Sequence, residues 1–158
     1  MVIRVGQGFD VHPFADAEAR PLILGGVVIA ETGGLAGHSD ADVVAHAVAD
    51  ALLGAAGLGD IGEHFPDTSA EWKGASSMAL LVAVMDMVGQ AGWSVGNIDI
   101  TVVTEAPRLA PHRAAMIAAL SAVVGAPVSV KAKRTEGLGA LGRREGIACW
   151  AVALLEAR

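Results

Sequence analysis

The stretch GQGFDVHPF, residues 6–14, carries a carboxylate at Asp10 and an imidazole at His12. In an extended strand, alternate side chains share a face. Asp10 and His12 therefore point one way and Phe9 and Val11 the other, a pair with the character of two metal ligands lacking a third. His46 is the candidate third. It falls in an apolar-periodic segment four residues after Asp42 and four before Asp50, so these polar groups form a stripe beside Val44, Val48, Ala51 and Ala55. Alone, that stripe reads as a solvated helix face. Together, Asp10, His12 and His46 supply one carboxylate and two imidazoles, the ligand set of a catalytic zinc that keeps its fourth position open. No CxxC pair occurs, which leaves a closed structural zinc site unsupported. His38 and Ser39 precede the same helix, where free backbone N–H groups and the helix dipole favour an anion. A phosphate arriving there could also fill the open metal position.

Positioning these groups takes a strand, a helix and the chain between them. A first strand is expected over residues 2–12, and PLILGGVVIA reads as a hairpin turning at Gly25-Gly26. HSDADVVAHAVADALLGAAGLG is the clearest helix, with Ser39 as cap, Asp42 as its capping-box partner, and Gly57 and Gly59 as stops. DIGEHFPDTSAEWKG has no periodicity and reads as a long functional loop. A second helix is expected over residues 76–90, with Met78, Leu81, Met85 and Val88 on one face. VGNIDITVVTEAP alternates as a strand through Thr104 and stops at Pro107. A third helix starts near Pro111 and ends by Gly125; PVSVKAKRT is a strand, EGLGALGRREG a loop and IACWAVALLEA a closing strand. This order predicts one α+β domain over residues 1–158, with helices on one face of a mixed sheet. The bare Ala/Val-rich face would pack against other subunits.

Composition points the same way. The 158 residues are 53% hydrophobic but 4% aromatic and 18% charged, and the mean hydropathy is +0.52, which suggests burial beyond one small core. A net charge of −6 without a Lys/Arg run argues against nucleic acid as partner. The lone Cys149 excludes an intrachain disulfide and fits a reducing compartment. MVIRVGQG has neither an apolar core nor an Arg/Ser-rich arm, and MALLVAVM is short of the roughly 20 residues of a membrane span. A cytoplasmic chain with no membrane partner is expected.

GFDVH, GHSDADVVAHAVADALLGAAGLGDIGEHFPDT, TEAPRLAPH and GRREGIA, in this order, resemble the 2-C-methyl-D-erythritol 2,4-cyclodiphosphate synthase family of the non-mevalonate isoprenoid pathway. The resemblance implies a ferredoxin-like or chorismate-mutase-like arrangement assembled as a homotrimer, with active sites between subunits. It implies an intramolecular phosphoryl transfer: the 2-phosphate of 4-diphosphocytidyl-2-C-methyl-D-erythritol 2-phosphate attacks the β-phosphorus and CMP leaves. By position, Asp10, His12 and His46 match the ligands of one Zn²⁺ per subunit. Glu136 matches the carboxylate for a second divalent ion, Mg²⁺ or Mn²⁺, that arrives with substrate. His38 and Ser39 match phosphate-contacting residues, with His38 stabilising transition-state charge. Asp60, Ile61 and Gly62 match the segment that bonds the erythritol hydroxyls, and Phe65, Pro66, Asp67, Thr68 and Ser69 match its flexible cover. Thr104, Glu105, Ala106, Pro107, Arg108, Leu109 and Ala110 match the cytidine pocket, joined by Lys133, Arg134, Thr135 and Glu136. Association with the neighbouring pathway enzymes is left open.

The sequence departs from the family at Lys133-Arg134-Thr135, which stands where a run of threonines is usual. Arg134 takes the place of the catalytic threonine. Its guanidinium either donates to phosphoryl oxygens or swings to solvent, leaving Thr135 or the backbone to act. Ala140 replaces a common aromatic beside Arg143, near the family's central channel, which puts an isoprenoid ligand there in doubt; Arg143 and Arg144 form a basic ring at the axis or pair with Glu145. Two alternatives stand beside the synthase: a metal-dependent phosphohydrolase, and a catalytically silent trimer that binds nucleotide or isoprenoid phosphates.

Overall fold

Residues Ile3–Pro13 form β1, and its alternation decides where the site lies. The computed structural model describes residues 2–16 and 20–158. After β1 come a hairpin of β2 (Leu22–Leu24) and β3 (Val27–Ala30), then α1 (Val43–Ala56) and a short α2 (Ile61–His64). A single 3-10 turn (Ala70–Trp72) leads to α3 (Ser77–Gln90), β4 (Trp93–Val103), α4 (Arg113–Val124), β5 (Val128–Lys133), a short α5 (Gly139–Gly142) and β6 (Gly146–Ala157). The main sheet has the order β1-β6-β4-β5. It is mixed: β6 runs antiparallel to β1 and β4, whereas β4 and β5 are parallel. The α+β architecture expected from element order is the one observed.

On β1 the even-numbered residues face the helices. Gly6 and Gly8 have no side chain there because α1 lies on them: a Cβ at Gly6 would sit 2.1 Å from the Ala51 carbonyl oxygen, and one at Gly8 1.9 Å from that of Ala47. Two residues and four residues further on, Asp10 and His12 continue the same face past this close approach. α1 is buried along its whole length apart from His46, Asp50 and Gly54, which follow one another at four-residue spacing. Its apolar surface packs on Ile98, Ile100, Ile147 and Cys149 of the sheet and on Leu81 and Val84 of α3.

Several boundaries differ from the sequence reading. The helix begins at Val43, and its cap is Asp42 rather than Ser39. Asp42 is fully buried and accepts from Val44 N and Ala45 N at 3.1 Å, and also from Gly25 N at 2.8 Å and Gly26 N at 2.7 Å. One carboxylate thus caps the helix and fastens the β2–β3 turn; burial raises its pKa against those N–H donors. Ser39 turns toward His46 instead. The presumed structureless loop contains α2, capped by the Asp60 side chain, and the turn at residues 70–72. α4 starts at Arg113, two residues after Pro111, with His112 in the capping position, and the glycine-rich loop before β6 contains α5.

The opposite sheet face is bare and apolar, as alternation requires. Val5, Phe9 and Val11 of β1 stand beside Trp150 and Val152 of β6, all exposed. The Phe9 and Trp150 rings lie 4.8 Å apart between centroids. Among the described residues no helix is long and apolar enough to cross a membrane.

Candidate metal and phosphate site

The strand dyad and the helical imidazole converge. Asp10 Oδ2 lies 2.9 Å from His12 Nε2 and 3.0 Å from His46 Nδ1, and the two ring nitrogens are 3.4 Å apart. Tetrahedral Zn²⁺ with bonds of about 2.0–2.1 Å would set its donors about 3.3 Å apart. These three side chains are the group of potential metal ligands found among the described residues. His12 Nδ1 donates to the Ala36 carbonyl at 2.7 Å, which leaves the Nε2 lone pair for the shared centre. The donor set and its spacing fit a divalent cation.

Charge is balanced around the carboxylate. Burial pushes Asp10 upward, but hydrogen bonds and charge from His12 and His46 outweigh it and hold the group far below the usual carboxylate range. Burial likewise lowers His12, and the Asp10 carboxylate overcomes it, so the ring titrates above its ordinary value. A cation would replace the shared protons at this centre.

A cavity of about 210 Å³ opens beside both imidazoles, with His38, Ser39, Phe65 and Asp67 in its wall. His38 Nε2 donates to the Ser69 carbonyl at 2.8 Å, which ties the expected phosphate residue to the expected cover. Phe65 stands edge-on to Trp72 at 5.1 Å, and Ser69 N donates to Pro66 O at 3.0 Å, so the Phe65–Ser69 segment is folded onto its own turn, with Asp67 and Thr68 exposed. Asp60 is exposed and caps α2 through Glu63 N at 3.0 Å, while Ile61 N donates to Asp50 Oδ1 at 2.8 Å; Gly62 is exposed. A larger cavity of about 410 Å³ shares Gly37, His38 and Ser39 and adds Arg20 and Lys73. The sequence reading missed these two cations, as it missed Asp40 and Ser77, and it placed Asp50 only in the helix stripe. Arg20, Lys73 and Ser77 are remote in sequence from the residues they join, so spacing offers no signal, and Asp40, though next to Ser39, takes its place through Ser77.

A separate cavity of about 210 Å³ runs from Thr104 to Ala110 and across to Ala132–Arg134, sharing no lining residue with the one beside the imidazoles. Leu109 is buried beneath it, and Thr104 Oγ1 donates to Ala106 O at 2.6 Å. Glu105 does not reach into open space. Its carboxylate, 5% exposed, accepts from Arg134 Nε at 3.1 Å and Nη2 at 3.0 Å, from Thr135 N at 2.7 Å and Oγ1 at 3.1 Å, and from Gly137 N at 3.4 Å. Arg134 is therefore paired with Glu105 while its side chain stays 61% exposed. Between these bonds Glu136 projects outward with a φ of 56°, and Lys133 and Arg108 are exposed. Ala140 and Arg143 are exposed on and after α5, with Arg143 Nε bonded to Glu145 Oε1 at 2.6 Å.

Fold and site together define an α+β protein whose two imidazoles and one carboxylate form a candidate cation site beside an open cavity. The YgbB family model matches residues 3–156, and the chain belongs to that family. A relative from Bordetella pertussis is 59% identical over 155 residues, 96% of this chain and 94% of the relative. One from Alcanivorax borkumensis is 54% identical over 159 residues, 99% of this chain and 98% of the relative. Both bear the name 2-C-methyl-D-erythritol 2,4-cyclodiphosphate synthase. Among solved structures, the bifunctional IspDF of Campylobacter jejuni superposes with a TM-score of 0.95 at 46% identity, across 99% of this chain but only 43% of that longer one. A Plasmodium falciparum IspF in complex with CDP superposes with a TM-score of 0.85 at 34% identity, covering 99% of this chain and 97% of that one. These relatives support neither the phosphohydrolase nor the silent-binder alternative.

Proposed function

We propose that the chain, as one domain over residues 1–158, cyclises 4-diphosphocytidyl-2-C-methyl-D-erythritol 2-phosphate to the 2,4-cyclodiphosphate and releases CMP. The observation that carries this reading is the convergence of Asp10, His12 and His46 beside a cavity, in a chain 59% identical to a synthase of that name. Asp10 Oδ2, His12 Nε2 and His46 Nδ1 would hold Zn²⁺. Such a cation supplies Lewis acidity, drawing charge from a phosphoryl oxygen and fixing the phosphorus for in-line attack.

The protein's own groups do the rest. Ser39 and His38 line the cavity where the phosphates would lie; the His38 ring can donate to one only when both its nitrogens carry hydrogen, because Nε2 is already committed to Ser69. Asp60, Ile61 and Gly62 would meet the erythritol hydroxyls, and Phe65–Ser69 would cover them and exclude water. The attacking 2-phosphate is a nucleophile near neutral pH, so no general base is required. Residues 104–110 would read the cytosine, and Glu136 would hold Mg²⁺ or Mn²⁺ through substrate oxygens and water. Lys133 and Arg108 stand where nucleotide phosphates would pass. Thr135, its amide and hydroxyl both donating to Glu105, would act only through that fixed turn.

The two cavities share no wall, which favours a nucleotide pocket that completes the metal site of a neighbouring copy. The bare face around Phe9 and Trp150 supports burial in a homotrimer of the ferredoxin-like or chorismate-mutase-like kind. Ala140 and Arg143 would then approach the axis, with Arg143 held by Glu145. A cytoplasmic setting belongs to the same reading. Phosphorus NMR of the products tests it: two coupled ring phosphates together with CMP are expected, and inorganic phosphate would contradict it.

A further inference from the structure

The His46 ring is gripped on the side away from Asp10. Its Nε2 lies 2.7 Å from Ser77 Oγ and 3.2 Å from Ser39 Oγ. Ser77 Oγ donates in turn to Asp40 Oδ1, and Asp40 Oδ2 accepts from Ser77 N at 3.0 Å. Asp40 Oδ1 also accepts from Asp42 N at 3.1 Å, so the carboxylate is anchored to the residue that caps α1. Ser77 itself is 1% exposed, at the first position of α3.

A hydroxyl has one hydrogen to give. With that hydrogen committed to a carboxylate, which only accepts, Ser77 Oγ must accept from the imidazole. Nε2 then keeps its hydrogen, so that the Nδ1 lone pair is the one released when a cation replaces the proton shared with Asp10. We infer that Asp40 and Ser77 are positioning residues that fix His46 as the Nε2–H tautomer, and thereby make Nδ1 a metal donor. Metal-binding histidines generally give their second N–H to a carboxylate, a carbonyl or water. His12 uses the Ala36 carbonyl, a backbone group beyond reach of side-chain substitution. His46 uses a carboxylate acting through a serine. Ser39 Oγ is the more distant of the two oxygens at Nε2 and accepts from Ala41 N at 3.2 Å.

The relay rests on Asp10, His12 and His46 being the cation site, and the test separates the two claims. Zinc affinity is measured by competition with a chromophoric chelator on metal-free parent, Ser77→Ala and Ser77→Thr, alongside the melting temperature of each metal-free protein. Ser77→Ala is expected to bind zinc about 10–100-fold more weakly, with its metal-free melting temperature unchanged. Ser77→Thr, which keeps the hydroxyl, is expected to recover most of that loss. Affinity of Ser77→Ala within about twofold of the parent would overturn the relay. So would a loss that tracks a lower metal-free melting temperature and is not recovered by threonine, since that marks a packing role. A parent that binds no zinc contradicts the site itself.

Discussion

Gly8 lies directly under Ala47: a Cβ on the strand residue would stand 1.9 Å from the helix residue's carbonyl oxygen. That approach, repeated at Gly6 and Ala51, brings α1 down onto β1 and delivers His46, the neighbour of Ala47, to Asp10. Gly8→Ala must displace backbone, so a destabilisation of about 1–3 kcal/mol is expected by urea denaturation, together with weaker zinc binding. Gly54 is the control. It is exposed within the same helix, with only Gln7 O near its missing Cβ at 3.9 Å, and Gly54→Ala should stabilise by about 0.5–1 kcal/mol while leaving zinc affinity intact.

The pH dependence of the metal-free protein follows from two opposed shifts. Asp10 is depressed from an ordinary value of 3.8, so its contribution is present above that pH and is lost only as pH falls through the much lower folded value. His12 is raised from 6.5, so its contribution is complete below pH 6.5 and disappears as pH climbs through the raised value. Metal-free protein should therefore lose stability on going from about pH 6 to pH 8. Zinc affinity should run the other way, rising over that interval as the competing proton leaves. Melting temperatures with and without zinc check both signs; a metal-free protein that gains stability across that interval would contradict the assignment.

Glu105 is expected to act on the nucleotide end through the turn it holds. Glu105→Ala releases Arg134 and leaves Thr135 N and Gly137 N without their acceptor. KM for the cytidine substrate should rise several-fold, and the requirement for magnesium should increase, while zinc content stays at one per chain. Steady-state kinetics across a magnesium series, with metal analysis, distinguish this from a general loss of fold.

The bare sheet face gives a prediction about assembly. Trp150→Glu puts a charge beside Phe9, Val11 and Val152, where a subunit interface would have to bury it. Light scattering should report a trimer for the parent and a smaller species for the variant. A parent that stays monomeric would remove the shared-site reading.

Much of this was legible in the sequence because it is local. Asp10 and His12 share a face by the period of a strand, and α1 is stopped at Gly57. What could not be read is what joins segments far apart. Ser39 reads as the cap and Asp42 as its capping-box partner, and the β2–β3 turn, which gives Gly25 N and Gly26 N to Asp42, is what the sequence does not show. Arg134 reads as a group bound for phosphate or for solvent, and its partner Glu105, twenty-nine residues earlier, is not legible. Asp50 reads as part of a helix stripe, yet it binds the amide of Ile61. The stripe read in α1 is narrower than its pattern suggests, since sheet and α3 bury all but His46, Asp50 and Gly54.

The central claim is that one cation sits among Asp10, His12 and His46, and anomalous diffraction at the zinc edge tests it most directly. Crystals of the chain grown with zinc and CDP should show one strong peak per subunit, bonded to Asp10 Oδ2, His12 Nε2 and His46 Nδ1 at about 2.0–2.2 Å. A map with no peak among those atoms, or with the zinc held by another set, would contradict the account.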